Sequence, residues 1–255
     1  MPFTLATWNI NSLTVRLPQV LDWLAANPVD VLALQELKLT DDKFPHQAFK
    51  DAGYESVCFG QKTYNGVALI SKTNATDLIK NIPGFDDEMA RVITGTVDGI
   101  RVVGAYFPNG QEPGSEKFEY KMEWLKGLRS WLKTEILSHP NLVLMGDFNI
   151  TTDDADVWDP IALEGTIHCT DEERYELAAL KALGLVDAYR LFPQAAKSFS
   201  WWDYRNAGFR RNQGLRIDYV LVSKALSSQT KACIIDKTPR KNERPSDHAP
   251  VVVEI

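Results

Sequence analysis

The sequence predicts an α/β fold built from two packed β-sheets flanked by helices. Strand-like and helix-like segments alternate through all 255 residues. Strands recur in both halves of the chain, with amphipathic helices between and outside them. No low-complexity tract or short repeat divides the chain, so a single domain over 1–255 is expected.

The elements follow in order. Residues 3–8 read as a strand, and 16–27 as a helix with Leu17, Val20, Leu21 and Leu24 on one face. Residues 29–35 form a second buried strand. A short helix over 42–52 stops at Gly53, and β-rich pieces follow at 54–60, 66–71, 90–97 and 100–107. The clearest helix runs over 115–137, where Phe118, Met122, Leu125, Leu128, Leu132 and Ile136 recur at helical spacing. Four apolar residues, Leu142-Val143-Leu144-Met145, read as a strand buried on both faces. Thr170-Asp171-Glu172-Glu173 is a capping box opening a helix that closes at Gly184. Strands return at 216–222, 231–236 and 249–255.

With 44% hydrophobic and 24% charged residues, the composition is that of a water-soluble globular protein. Three Cys (Cys58, Cys169, Cys233) without a C-x-x-C pair argue against a disulfide framework and for a reducing compartment. The start lacks a basic region followed by an apolar core, and no apolar run reaches membrane-spanning length. A cytoplasmic, bacterial-type location is expected, with no membrane partner. The net charge of −6 argues against indiscriminate coating of polyanions. Cationic clusters nonetheless occur late in the chain: Arg205, Arg210, Arg211 and Arg216, then Lys237, Arg240, Lys241 and Arg244. Trp201, Trp202, Tyr204 and Phe209 interleave with the first, a pattern suited to nucleic acid.

Five strand-like runs meet polar residues at or beside an end. These are Thr7-Trp8-Asn9-Ile10-Asn11, Leu32-Ala33-Leu34-Gln35-Glu36, Gly146-Asp147-Phe148-Asn149, Arg216-Ile217-Asp218-Tyr219 and Ser246-Asp247-His248-Ala249-Pro250. The spacing of Asp147 and Asn149 sets both side chains on one side of an extended chain. One such stretch is a turn, because Asp and Asn favour turns; five point to a converging site. Asp and Glu with Asn, without Cys, are hard oxygen donors that match Mg²⁺ or Mn²⁺ rather than zinc. No G-x-S-x-G elbow, Walker loop or G-x-G-x-x-G is present, which disfavours serine hydrolases, P-loop enzymes and dinucleotide enzymes. Metal-assisted phosphoester hydrolysis remains.

Together with Gly66-Val67-Ala68, Tyr106-Phe107-Pro108-Asn109-Gly110 and Gly214-Leu215-Arg216-Ile217-Asp218, these stretches resemble exonuclease III, of the abasic-endonuclease branch of the endonuclease/exonuclease/phosphatase superfamily. The motifs span nearly the whole chain in the expected order, and Phe199-Ser200-Trp201-Trp202-Asp203-Tyr204-Arg205 narrows the match to that branch. The resemblance implies a four-layer, DNase I-like α/β sandwich. It implies an Mg²⁺-dependent DNA-repair phosphodiesterase acting on duplex DNA with damaged, recessed or nicked 3′ ends or abasic sites. Nothing in the sequence demands more than a monomer.

Carried over by position, Glu36 is the expected metal ligand, with Asp247 and Asn9 nearby and Asp147 and Asn149 in the same cluster. Asp147 orients or deprotonates the attacking water, and Asn149 holds Asp147 and helps bind the oxyanion. His248 donates to the scissile phosphate, oriented by Asp218, and Tyr106 donates to the phosphate or leaving oxygen. Arg91, Lys121, Trp201, Arg205 and Arg216 are the expected DNA contacts. Trp202 is expected in the core, His46 and His139 at the surface, and Cys169 as a passive small residue.

One departure bears on activity. Registered on Thr170-Asp171-Glu172-Glu173, the resemblance places His168 where strong abasic-site endonucleases of this family usually carry a small residue. An imidazole there would fill the pocket for the nucleotide beyond the cut, favouring 3′→5′ exonuclease and 3′-phosphatase action over internal incision. The alternative is abasic-site incision as the main activity. A superfamily phosphatase would lack the Trp201 stretch and the basic clusters, and a non-catalytic damage-binding module would lack a ligand or the His.

Overall fold

In a computed structural model, which describes residues 2–255, two six-stranded mixed sheets pack face to face. The first contains β1 (Thr4–Asn9), β2 (Val31–Gln35), β3 (Glu55–Phe59), β4 (Val67–Ser71), β13 (Ala232–Ile235) and β14 (Val251–Glu254), in the order β13-β14-β1-β2-β4-β3. The second contains β5 (Thr76–Lys80), β6 (Val92–Val97), β7 (Ile100–Tyr106), β8 (Leu142–Asp147), β9 (Leu185–Asp187) and β12 (Asp218–Ser223), in the order β5-β6-β7-β8-β12-β9. Two residues each of β10 (Trp201–Trp202) and β11 (Gly214–Leu215) form a separate ribbon.

Period-two alternation makes the layers. Leu5, Val31, Ala33 and Leu69 of the first sheet meet Val102, Val143, Met145 and Val220 of the second in the central core. The alternate residues Ala6, Trp8, Leu32 and Leu34 face outward, under the helices α1 (Leu13–Ala26) and α2 (His46–Asp51). Val103, Leu144 and Leu221 face the other way, under α3 (Glu116–Ser138) and α4 (Asp171–Lys181). The order helix, sheet, sheet, helix is the expected four-layer sandwich.

Several boundaries differ from the sequence reading, each for a physical reason. The helix expected over 42–52 splits at Pro45, which holds Phe44 extended and leaves a 3₁₀ turn (Asp41–Lys43) ahead of α2. The first helix begins at Leu13, three residues early, without a side-chain cap at Ser12 to announce it. Strand β5 was not anticipated because it is an exposed edge strand with no buried face to impose alternation.

Candidate active site

The site is built on three adjacent inner strands of each sheet: β14, β1 and β2 in one, β7, β8 and β12 in the other. Register carries the polar residues to one edge. Asn9 pairs with Gln35, so Glu36 lies just beyond it; Tyr106 and Asp218 both pair with Asp147 from opposite sides; His248 bridges Trp201. The backbone of β8 closes tightly there. Gly146 has φ 154°, and a Cβ on it would lie 1.8 Å from the carbonyl oxygen of Ala105. Only glycine fits immediately before Asp147.

Asn9 Nδ2 donates to Glu36 Oε1 at 3.0 Å and to Asp147 Oδ2 at 2.9 Å, joining the carboxylates of the two sheets. The Tyr106 hydroxyl donates to Glu36 Oε1 at 3.0 Å. Burial, and then the Glu36 carboxylate, push this phenol well above its ordinary value, so it stays a donor. His248 Nδ1 lies 2.9 Å from Asp218 Oδ2, and its Nε2 lies 3.6 Å from Asp147 Oδ2. Burial alone would lower this imidazole, but Asp218 and then Asp147 prevail and raise it to about 10. His248 is therefore an imidazolium at neutral pH, its ring orientation fixed by Asp218. Burial pushes the Asp147 carboxyl up to about 7, against the pull of His248. Asn149 sits in the left-handed region at φ 51°, where its backbone N–H donates to Asp147 Oδ1 at 2.9 Å. Its side chain bridges the carbonyl of Phe107 at 3.1 Å and the amide of Asn109 at 3.2 Å.

Two residues that sequence reasoning passed over complete the cluster. Asn11 Nδ2 donates to Asp247 Oδ1 at 2.9 Å, while Trp201 Nε1 donates to Asp247 Oδ2 at 3.0 Å. The Lys38 ammonium lies 2.9 Å from Glu36 Oε2 and 2.5 Å from Asn11 Oδ1. The signal for both was available: each stands two residues beyond a chosen residue, Asn9 or Glu36. Both have positive φ, at 43° and 57°, as does Glu36 at 54°, so the chain turns sharply and returns these side chains to the same spot.

Glu36, Asp147 and His248 bring potential ligand atoms within 4.8 Å of one another. The Nδ1 of His248 is already engaged by Asp218. The oxygens fit a hard divalent cation. Four carboxylates (Glu36, Asp147, Asp218, Asp247) face two cations, Lys38 and His248, and no thiolate stands among them.

The structure corrects two expected DNA contacts. Lys121 is fully buried, and its ammonium donates to the carbonyls of Asn109 and Asn149. Arg216 is 1% exposed, paired with Asp156 through Nε at 2.7 Å and with Asp187 at 2.8 Å. Neither side chain has surface to offer a nucleic acid. Arg240 leaves the second basic cluster likewise, enclosed by Phe209 and Trp202. Arg205, Arg210, Arg211, Lys241 and Arg244 remain exposed. Arg91 is partly exposed, its guanidinium 5.2 Å over the Tyr106 ring, in the wall of a 660 Å³ cavity beside the site.

Arg216 defines a stability prediction. Arg216→Met leaves Asp187 buried without its cation, so unfolding free energy should fall by about 3–5 kcal/mol. Burial would raise the Asp156 carboxyl, but Arg216 outweighs it and holds the group below its ordinary value. A depressed acid stabilises the fold above its unfolded value and loses that contribution as pH falls below it. The gap between variant and wild type in urea denaturation should therefore be full at pH 7 and shrink below about pH 4.

Residues 6–248 match the model of the endonuclease/exonuclease/phosphatase family. The chain belongs to that family. Within it, the exodeoxyribonuclease III of Haemophilus influenzae is 34% identical over 97% of this chain and 98% of its own. A solved structure described as the 3′ phosphatase NExo from Neisseria bound to a product DNA hairpin shares 47% identity, covers 99% of each chain and superposes with a TM-score of 0.97. An AP endonuclease from Archaeoglobus fulgidus is 33% identical over 98% of each chain, with a TM-score of 0.94. This member of the family is accordingly a nuclease of the exonuclease III and abasic-endonuclease type, a DNA-repair hydrolase. No helix among the described residues is long and apolar enough to cross a membrane.

Proposed function

We propose that the protein is an Mg²⁺-dependent enzyme that trims 3′ ends of duplex DNA, removing 3′-phosphates and terminal nucleotides in preference to cutting internally at abasic sites. The observation that carries this reading is His168. It lies 8% exposed in the wall of a 480 Å³ cavity shared with Trp201, Leu215 and Ile167. Its ring is fixed: Nδ1 is 2.6 Å from the Asn149 carbonyl, which can only accept, so Nδ1 carries the proton. Burial, and then the neighbouring Lys121 ammonium, lower this imidazole to about 4, so it is neutral. A φ of 73° is a conformation in which a non-glycine residue is strained, and the ring still occupies the space beside Asn149. A nucleotide turned into that cavity meets it. The 47%-identical structures are described as a 3′ phosphatase and a 3′-5′ exonuclease, which supports 3′-end activity here.

In the chemistry that fits this geometry, Asp147, held by the Asn9 amide and the Asn149 N–H, accepts the proton of the attacking water. Asn149 fixes Asp147 through its backbone N–H. The His248 imidazolium, oriented by Asp218, and the Tyr106 hydroxyl donate to the phosphate oxygens as charge gathers on them. Glu36 and Asp147 are the proposed holders of Mg²⁺, with Asn9, Asn11 and Asp247 beside them; the cation neutralises phosphate charge. The exposed Arg205 and the edge of Trp201 are proposed to meet the DNA.

Release of phosphate from a nicked duplex with a 3′-phosphate tests this function. It should proceed with Mg²⁺ and stop with EDTA; turnover undiminished by chelation would refute it. His168→Gly should raise incision at an internal abasic site by about 10- to 100-fold, the range a steric discriminator supplies. Unchanged incision in a folded His168→Gly protein would remove His168 as the gate.

A further inference from the structure

We propose that Lys121 is a positioning residue, a buried strut that aims Asn149 and ties it to the loop carrying His168; this rests on the phosphodiesterase function above. Its ammonium has three partners and no solvent. It donates to the Asn149 carbonyl at 2.7 Å, to the Asn109 carbonyl at 3.1 Å, and to Glu173 Oε1. Those three partners reach the site by separate routes. Asn149 contacts Asp147 directly, and Asn109 holds the Asn149 side chain. Glu173 Oε1 also accepts from the His168 backbone N–H at 3.1 Å, and Glu173 Oε2 from the Thr170 N–H at 3.1 Å. The chain bends closely over the lysine stem, and a Cβ on Gly110 would lie 2.9 Å from Lys121 Cδ.

This arrangement is poorly explained as a device for stability. A buried ion pair is often replaceable by uncharged groups of similar shape without loss. The pair does supply direction. The Asn149 carbonyl receives two donors, Lys121 Nζ and His168 Nδ1, while the residue is held at φ 51°. Removing one donor loosens the Asn149 backbone, and with it the N–H on the other side of the same Cα that braces Asp147.

The test separates position from stability by removing both charges at once. Lys121→Met combined with Glu173→Gln leaves no unpaired buried charge and keeps a side chain able to close the capping box with Thr170. The paired variant should melt close to wild type. Its kcat for 3′-phosphate release should fall by about tenfold or more, as small misplacements do, with KM changed less than about twofold. In an Asp147→Asn background, which has no carboxylate for the Asn149 N–H to brace, the same pair of substitutions should cost no further rate. Wild-type kcat in the paired variant, or an equal loss in the Asp147→Asn background, overturns the inference. Should the wild-type protein release no phosphate, the proposed function fails instead. The strut is then judged by the Asn149 backbone amide resonance in ¹H–¹⁵N spectra, which shifts and broadens in the paired variant if Lys121 holds it and stays in place if it does not.

Discussion

Asp147→Asn should lower kcat for 3′-end hydrolysis by about 10²- to 10⁴-fold, the contribution of a positioned general base. The substitution keeps the shape of the side chain, and its one oxygen can still accept from the Asn149 N–H, so the fold should survive. It should in fact be stabilised. The Asp147 carboxyl is raised to about 7 by burial, so its charged form is held against the preference of the folded state. An acid raised on folding destabilises as pH climbs from its unfolded towards its folded value, and remains destabilising above that. At pH 8 and without divalent cations, Asp147→Asn should melt at a higher temperature than wild type. Rate loss with a raised melting temperature identifies a group kept for chemistry at the expense of stability; turnover at the wild-type rate would remove Asp147 from the mechanism.

Asp218→Asn should produce a comparable fall in kcat by a different route, and pH separates the two. Both Asp218 oxygens lie near His248 Nδ1, at 3.1 and 2.9 Å, and their charge is the main reason the imidazole rises to about 10. An amide in their place leaves burial, which lowers the imidazole, opposed only by Asp147 and Asp247. The proton then leaves His248 at lower pH, and a rate that needs the imidazolium declines sooner on the alkaline side. The alkaline limb of the kcat/KM profile should move to lower pH in Asp218→Asn. An unmoved limb would mean that His248 does not act as the charged donor.

The extent to which the sequence carried this site follows from its backbone. Asp147, Asn149, Asp218 and His248 lie at the ends of buried, strongly apolar strands, where a polar residue stands out and register converts neighbouring positions into contacts. The layers were legible for the same reason, since Leu5 and Ala6, or Val31 and Leu32, alternate between two different cores. Asn11 and Lys38 were not singled out because their contribution depends on positive φ at Asn11, Glu36 and Lys38, which turns residues two positions beyond the strand ends back to the same spot. Lys121 and Arg216 were misread as surface cations because a charge says nothing of its depth. Only tertiary partners, Glu173 for one and Asp156 with Asp187 for the other, reveal that both are inside. Trp202, by contrast, is buried as expected while Trp201 keeps a partly exposed edge, a consequence of neighbouring residues in an extended ribbon pointing opposite ways.

The central claim, that this site works on DNA ends rather than at internal abasic sites, is tested most directly by one ratio. Wild-type protein, saturated with Mg²⁺, is assayed in parallel on a duplex bearing a 3′-phosphate at a nick and on the same duplex with an internal abasic-site analogue. End trimming should exceed incision by about tenfold or more, the discrimination available to a steric barrier such as the His168 ring. Incision as fast as trimming would contradict it, and would make abasic-site cleavage the main activity.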